Sequence, residues 1–244
     1  MDPLSAESLL TDLRAVDAER RHRALDPALA RRVAALKIWQ QRRFAATYAD
    51  LLAHPRYAAA AGFFLDELYG PADFTRRDAQ FARVVPALTR LFPTEVVDTV
   101  AQLARLHALS ERLDTRMAER LPAPAAEALH MEPPAIDAQS YGDAWRACGQ
   151  PEARQTQIDL TLAVGAALDR LTTKPWLRQS LRLMRSPAQM AGLAELQHFL
   201  ETGFDTFRAM RGAGEFLNTV REREQALAAA LFANTRSHDL GQLP

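Results

Sequence analysis

The chain has 244 residues, enough for one large domain or two small ones whose core does not depend on disulfides or metal. Hydrophobic residues at 48% and charged residues at 25% exclude disorder over most of its length, and 30 basic against 30 acidic side chains leave no global field to draw it onto nucleic acid or anionic membrane. Cys148 is the only cysteine, which excludes an intramolecular disulfide and a cysteine-rich zinc site.

The opening residues Met1-Asp2-Pro3-Leu4 lack the basic-then-apolar order of a secretion signal. No apolar run approaches the roughly 20 residues of a membrane span, so a reducing cytoplasm is the expected compartment. Lys37 and Lys174 are the only lysines among many arginines, and with abundant alanine this fits the coding bias of a GC-rich bacterium. Asp26-Pro27, a capping carboxylate before a first-turn proline, predicts a helix running to about His54. A second helix is expected over Arg56 to Tyr69, ended by Gly70-Pro71. Asp73 is placed to cap a third, which reaches about Phe92 and should be kinked or split by Pro86. From Thr94 to Leu121 the residues Val96, Val100, Leu103, Leu106, Leu109, Leu113 and Met117 recur at helical spacing.

Between about 122 and 139 the pattern fails at Pro122, Pro124, Pro133 and Pro134, as expected of a connection or exposed loop. Helices resume over Ser140–Cys148, Pro151–Thr172 and Pro175–Arg185. Ser186-Pro187-Ala188-Gln189 reads as a new start, with a helix to about Arg211 whose buried stripe is Met190, Leu193, Gln197, Leu200, Phe204 and Phe207. Gly212 and Gly214 break it, and a last helix covers about Glu215 to Phe232. Strand signals are nearly absent. The expected fold is an all-α bundle of about nine or ten helices, with residues 1–244 forming one all-helical domain of two packed halves around the Pro-rich connection.

Phosphate-loop, zinc-protease and serine-elbow motifs are missing, which argues against nucleotide-dependent and hydrolase chemistry. Glu127–His130 and Glu195–His198 both have the Glu-x-x-His spacing that di-iron bundles use, but the first lies in the Pro-rich connection and His198 points away from the apolar stripe of its helix. His107 borders the stripe of the Thr94–Leu121 helix, as a core histidine, a proton carrier or a ligand for metal or haem. No cofactor is predicted; His107, Glu195 and His198 are the residues through which metal or haem would enter. Arg178, Arg182 and Arg185 form a basic stripe able to meet an acidic partner, nucleic acid or anionic lipid, or simply to face solvent. Residues Arg14 to Arg43 are also rich in arginine.

The most distinctive segment is Phe63–Asp78, where aromatics and both signs of charge crowd around Gly70-Pro71. It reads either as a locked helical corner or as a ligand or partner site using Tyr69, Asp73, Arg76 and Arg77. Its pattern Phe-Phe-x-x-x-Leu-Tyr-Gly-Pro-x-Asp-Phe-x-x-Arg-Asp, with Leu196–Phe204 and Met210–Leu217 later in the chain, resembles a family of uncharacterised all-helical proteobacterial proteins. The resemblance runs from Phe63 to about Glu222 and implies fold and bacterial origin, with no catalytic residue carried over. The leading functional expectation is a non-enzymatic protein acting through a protein partner or self-association. The alternative is a helical-bundle enzyme or carrier holding a metal, haem or apolar ligand.

Overall fold

In the computed structural model the described residues are 6–68, 74–122 and 136–233. They form eleven α-helices and no strand: α1 (Ala6–Ala24), α2 (Pro27–Thr47), α3 (Ala49–Ala53), α4 (Ala58–Phe63), α5 (Thr75–Leu91), α6 (Thr94–Arg120), α7 (Ala138–Cys148), α8 (Pro151–Thr172), α9 (Pro175–Met190), α10 (Ala194–Ala209) and α11 (Gly214–Phe232). A π-helical turn, Phe64–Leu68, follows α4 directly. The fold class is all-α, as the helical periodicity requires.

Four differences from the sequence expectation have physical causes. No helix was assigned before Asp26, yet α1 buries Leu9, Leu13 and Val16 against α5 and α6. The single helix expected from Pro27 to His54 is interrupted at Tyr48, whose fully buried ring packs on Phe44 with centroids 4.5 Å apart. Pro86 neither splits nor ends α5, because it lies on the solvent side of the helix while Val85 faces the core. Pro187 does not open a new helix either. Helix α9 runs through it on an exposed face and stops where Gly192 takes φ 70°, with Gly192 N–H donating to Gln189 O and Leu193 N–H to Ala188 O. Those two bonds are a complete Schellman ending. The next helix therefore starts seven residues later than expected, and Met190 is 82% exposed instead of buried.

Helix α6 is the centre of the fold, packing on α1, α2, α7 and α8. An aromatic core joins α2, α4, α10 and α11, with Phe64 close to Phe207 and Phe216 (6.1 and 5.6 Å between centroids) and Phe63 close to Phe199 (5.4 Å). Gly203 is small because a Cβ there would stand 3.0 Å from Phe63 Cζ. A second cluster stacks Trp39 on Tyr141 at 3.7 Å between α2 and α7. Arg56 ties the start of α4 to the α10–α11 turn, donating to Met210 O (2.6 Å) and Gly212 O (2.9 Å), and Asp169 accepts from Ala213 N–H at the entry to α11 (3.0 Å). The described residues of the Phe63–Asp78 segment thus pack in one region with those of Leu196–Phe204 and Met210–Leu217, far apart in sequence.

A charged, aromatic-walled cavity as the candidate functional site

Helix α6 carries His107, Glu111 and Asp114 at i, i+4 and i+7, which places them on one face. Lys37 and Gln40 of α2 approach that face, as does Asp78 of α5. Arg154, Gln157 and Thr161 of α8 add a second polar stripe at i, i+3 and i+7. Between these helices and α7 and α10 lies a cavity of about 140 Å³, walled by those side chains and by Phe74, Phe81, Tyr141, Trp145 and Phe199. Arg154, Trp145, Tyr141, Arg43, Gln157, Thr161 and Glu224 separate it from a smaller space of about 30 Å³ beside α11.

Charge is organised in pairs around this space. Asp78 accepts from Arg20 (2.6 Å) and contacts His107 Nε2 (2.8 Å). Burial alone would raise the Asp78 carboxyl, but the His107 contact and the guanidiniums of Arg77 and Arg20 outweigh it and hold it at about 2. Glu111 accepts from Lys37 (2.6 Å) and from the buried Arg23. There too burial pushes upward, and the charges of Lys37 and Arg23 bring the carboxyl to about 2. Glu224 accepts from Arg43 (2.5 Å) and from the Tyr48 hydroxyl (2.8 Å). Asp114 differs. Its one described hydrogen bond is from Gln40 Nε2 (3.0 Å), and burial drives its pKa up against the weaker pull of Lys37.

Of the residues singled out from sequence, Arg77 lines the cavity. Its guanidinium lies 4.0 Å from the Phe74 ring centroid and 4.5 Å from that of Phe199, and it bonds Glu67 O and Oε2, both at 3.3 Å. His107 lines it as well. Arg76 does not: its side chain is 74% exposed and paired with Glu195 at 3.0 Å on the surface. Tyr69, Asp73, Glu127 and His130 lie outside the described residues. His198 is exposed, and among the described residues no three His, Cys, Asp or Glu side chains gather as a metal-ligand set. Arg178 pairs with Asp205 (3.2 Å) and Arg185 with Glu201 (2.7 Å), so the basic stripe of α9, where Arg182 is also exposed, is partly neutralised. The Arg14–Arg43 stretch sends Arg20, Arg23 and Arg43 inward to carboxylates.

Asp78, Glu111, Asp114 and Arg154 were not reached from sequence as site residues. The signal that could have found them is polar residues repeating at helical spacing inside apolar helices, His107/Glu111/Asp114 and Arg154/Gln157/Thr161.

Fold and site together define an all-α protein with a charge-lined cavity between its helices. Residues 19–238 match the family described as Domain of unknown function (DUF8198), and the chain belongs to that family. No curated protein and no solved structure matches it. Among the described residues no helix is long and apolar enough to cross a membrane.

Proposed function

We propose that this protein is a carrier or sensor that binds a small, largely apolar molecule in the cavity between α2, α5, α6, α7, α8 and α10. The observation that supports it is the cavity itself. About 140 Å³ is close to the engineered cavity of about 150 Å³ that accepts benzene in another protein, so the space suits a ligand built on one aromatic ring. Aromatic faces supply the apolar contacts and fixed charges supply orientation, as in small-molecule sites generally. A bacterial cytoplasm suits this reading, since the only cysteine is unpaired.

Toluene tests it. Saturating toluene should raise Tm in the wild type and leave an Ala104→Phe variant, whose ring occupies the cavity, unchanged. A wild-type Tm that toluene does not move, with no small molecule released on denaturation and seen by mass spectrometry, overturns the proposal.

A second role, self-association, is supported by Trp176, Leu183 and Met190, which recur every seven residues on the outer side of α9 and are 42%, 70% and 82% exposed. The neighbouring Arg178–Asp205 and Arg185–Glu201 pairs are neutral overall, so a second copy meets little charge repulsion there. This role predicts a dimer by sedimentation that Leu183→Glu converts to monomer; a wild-type monomer at high concentration removes it.

A further inference from the structure

We infer that the ligand carries a carboxylate and that Arg154 is its anchor, an inference that rests on the cavity being a binding site. Arg154 is 4% exposed and forms part of the wall of both cavities. A guanidinium does not give up its proton inside a protein. Taking it out of water therefore costs several kcal/mol unless a counter-charge and hydrogen bonds repay it. The other two arginines buried this deeply have that counter-charge, Arg23 in Glu111 and Arg43 in Glu224.

Arg154 has none within 4.0 Å among the described residues. Its contacts are neutral: Gln157 Oε1 at 3.1 Å, Met117 Sδ at 3.5 Å, and the Trp145 ring with its centroid 4.0 Å away. A desolvated cation–π contact returns only part of the cost of burial. The carboxylates nearby are already committed, Glu67 and Asp78 to Arg77, Glu111 to Lys37 and Arg23, and Glu224 to Arg43. Asp114 acts on Arg154 through space without touching it, and burial favours its neutral form.

A second observation points the same way. Trp145 is 8% exposed, lines the same wall, and its Nε1–H is buried without an acceptor. One acceptor group at this wall would answer both donors. Among the described residues Arg154 is the one deeply buried arginine without a counter-charge, and a single negative group answers it. The planar fork of Arg also matches a carboxylate in two-point geometry. The ligand class is therefore an aromatic-ring-sized monocarboxylate.

Calorimetric titration with benzoate, its neutral isostere benzamide, and inorganic phosphate tests this on the full chain. Benzoate should bind the wild type at least about tenfold more tightly than benzamide. Arg154→Met should erase that preference, weakening benzoate by at least about tenfold more than benzamide. Trp145→Phe, which removes the N–H donor and keeps an aromatic face on the wall, should weaken benzoate more than benzamide, and this holds the test open should Arg154→Met fail to fold. Equal binding of benzoate and benzamide, or phosphate binding more tightly than benzoate, overturns the inference. If toluene still binds in that case, the cavity proposal stands; if none of the probes binds, both fall.

Discussion

Glu111→Gln isolates the electrostatics of the cavity wall, because it keeps the shape of the side chain and removes its charge. Glu111 is nearly sealed from solvent, and the variant leaves Arg23 and Lys37 facing a neutral amide. A carboxyl held at about 2 instead of 4.5 favours its ionised form by about 3 kcal/mol, since each pH unit is about 1.4 kcal/mol. Breaking a buried pair from one side independently suggests about 3–5 kcal/mol. The loss at pH 7 should thus be about 3 kcal/mol, read as a drop in Tm of about 6–12 °C for a chain of this size. The sign of the pH dependence follows from linkage. A depressed carboxyl contributes stability that is fully present above its unfolded value near 4.5 and is lost as pH falls towards about 2. Urea unfolding followed by circular dichroism should therefore show the wild type and Glu111→Gln separated at pH 7 and converging below pH 3. A Lys37→Met/Glu111→Gln cycle should return a coupling above about 1 kcal/mol. A loss below about 1 kcal/mol at pH 7, or an equal gap at both pH values, would refute the assignment of Glu111 as the counter-charge.

At Gly165 an added Cβ would stand 2.5 Å from Leu217 Cδ2, where α8 meets α11. Gly165→Ala should cost about 1–2 kcal/mol despite the better helix former, and Gly165→Ala/Leu217→Ala should lose less than the two singles added together, as thermal melts would show. Because α9 continues through an exposed Pro187, Pro187→Ala should gain about 1–3 kcal/mol by restoring a donor to the Leu183 carbonyl. A loss on that substitution would return Pro187 to the role of a helix start.

Helix identity was legible because it is written in local spacing. The bounds of α8 follow from its first-turn proline and helical period, and the extent of α6 from period alone. The errors fall where a local signal was overruled by surroundings: a capping box at Ser186–Gln189 that the chain does not use, and two prolines tolerated because their rings face water. The site was only partly legible. His107 and Arg77 were visible as unusual residues in apolar or aromatic context. Asp114 and Arg154 looked like ordinary charges among 60, since nothing in a one-dimensional pattern says that a charged face meets other helices instead of solvent. What identifies them is the convergence of α2, α6 and α8, in contacts that span 74 positions for Gln40–Asp114 and 37 for Met117–Arg154.

A wall built from buried charges is a poor way to make a bundle stable. Paired polar groups in a core are commonly replaced by apolar ones of similar volume with no loss, and sometimes with gain. Gln40 and Asp114 form a closed pair at 3.0 Å, both more than nine-tenths buried, in which the carboxyl is pushed towards its neutral form. If the pair exists for stability, Gln40→Leu/Asp114→Leu should cost more than about 2 kcal/mol. If it exists to shape and polarise a ligand site, the double variant should melt at or above the wild-type temperature at pH 7 and bind benzoate more weakly. The stability half is sharpened by pH: a carboxyl whose pKa is raised on folding withdraws stability as pH rises past its unfolded value near 3.8, so the advantage of the leucine pair should grow between pH 3 and pH 7. An advantage that shrinks over that range would mean that Asp114 is ionised in the fold, and would make it the counter-ion of Arg154 in place of any ligand.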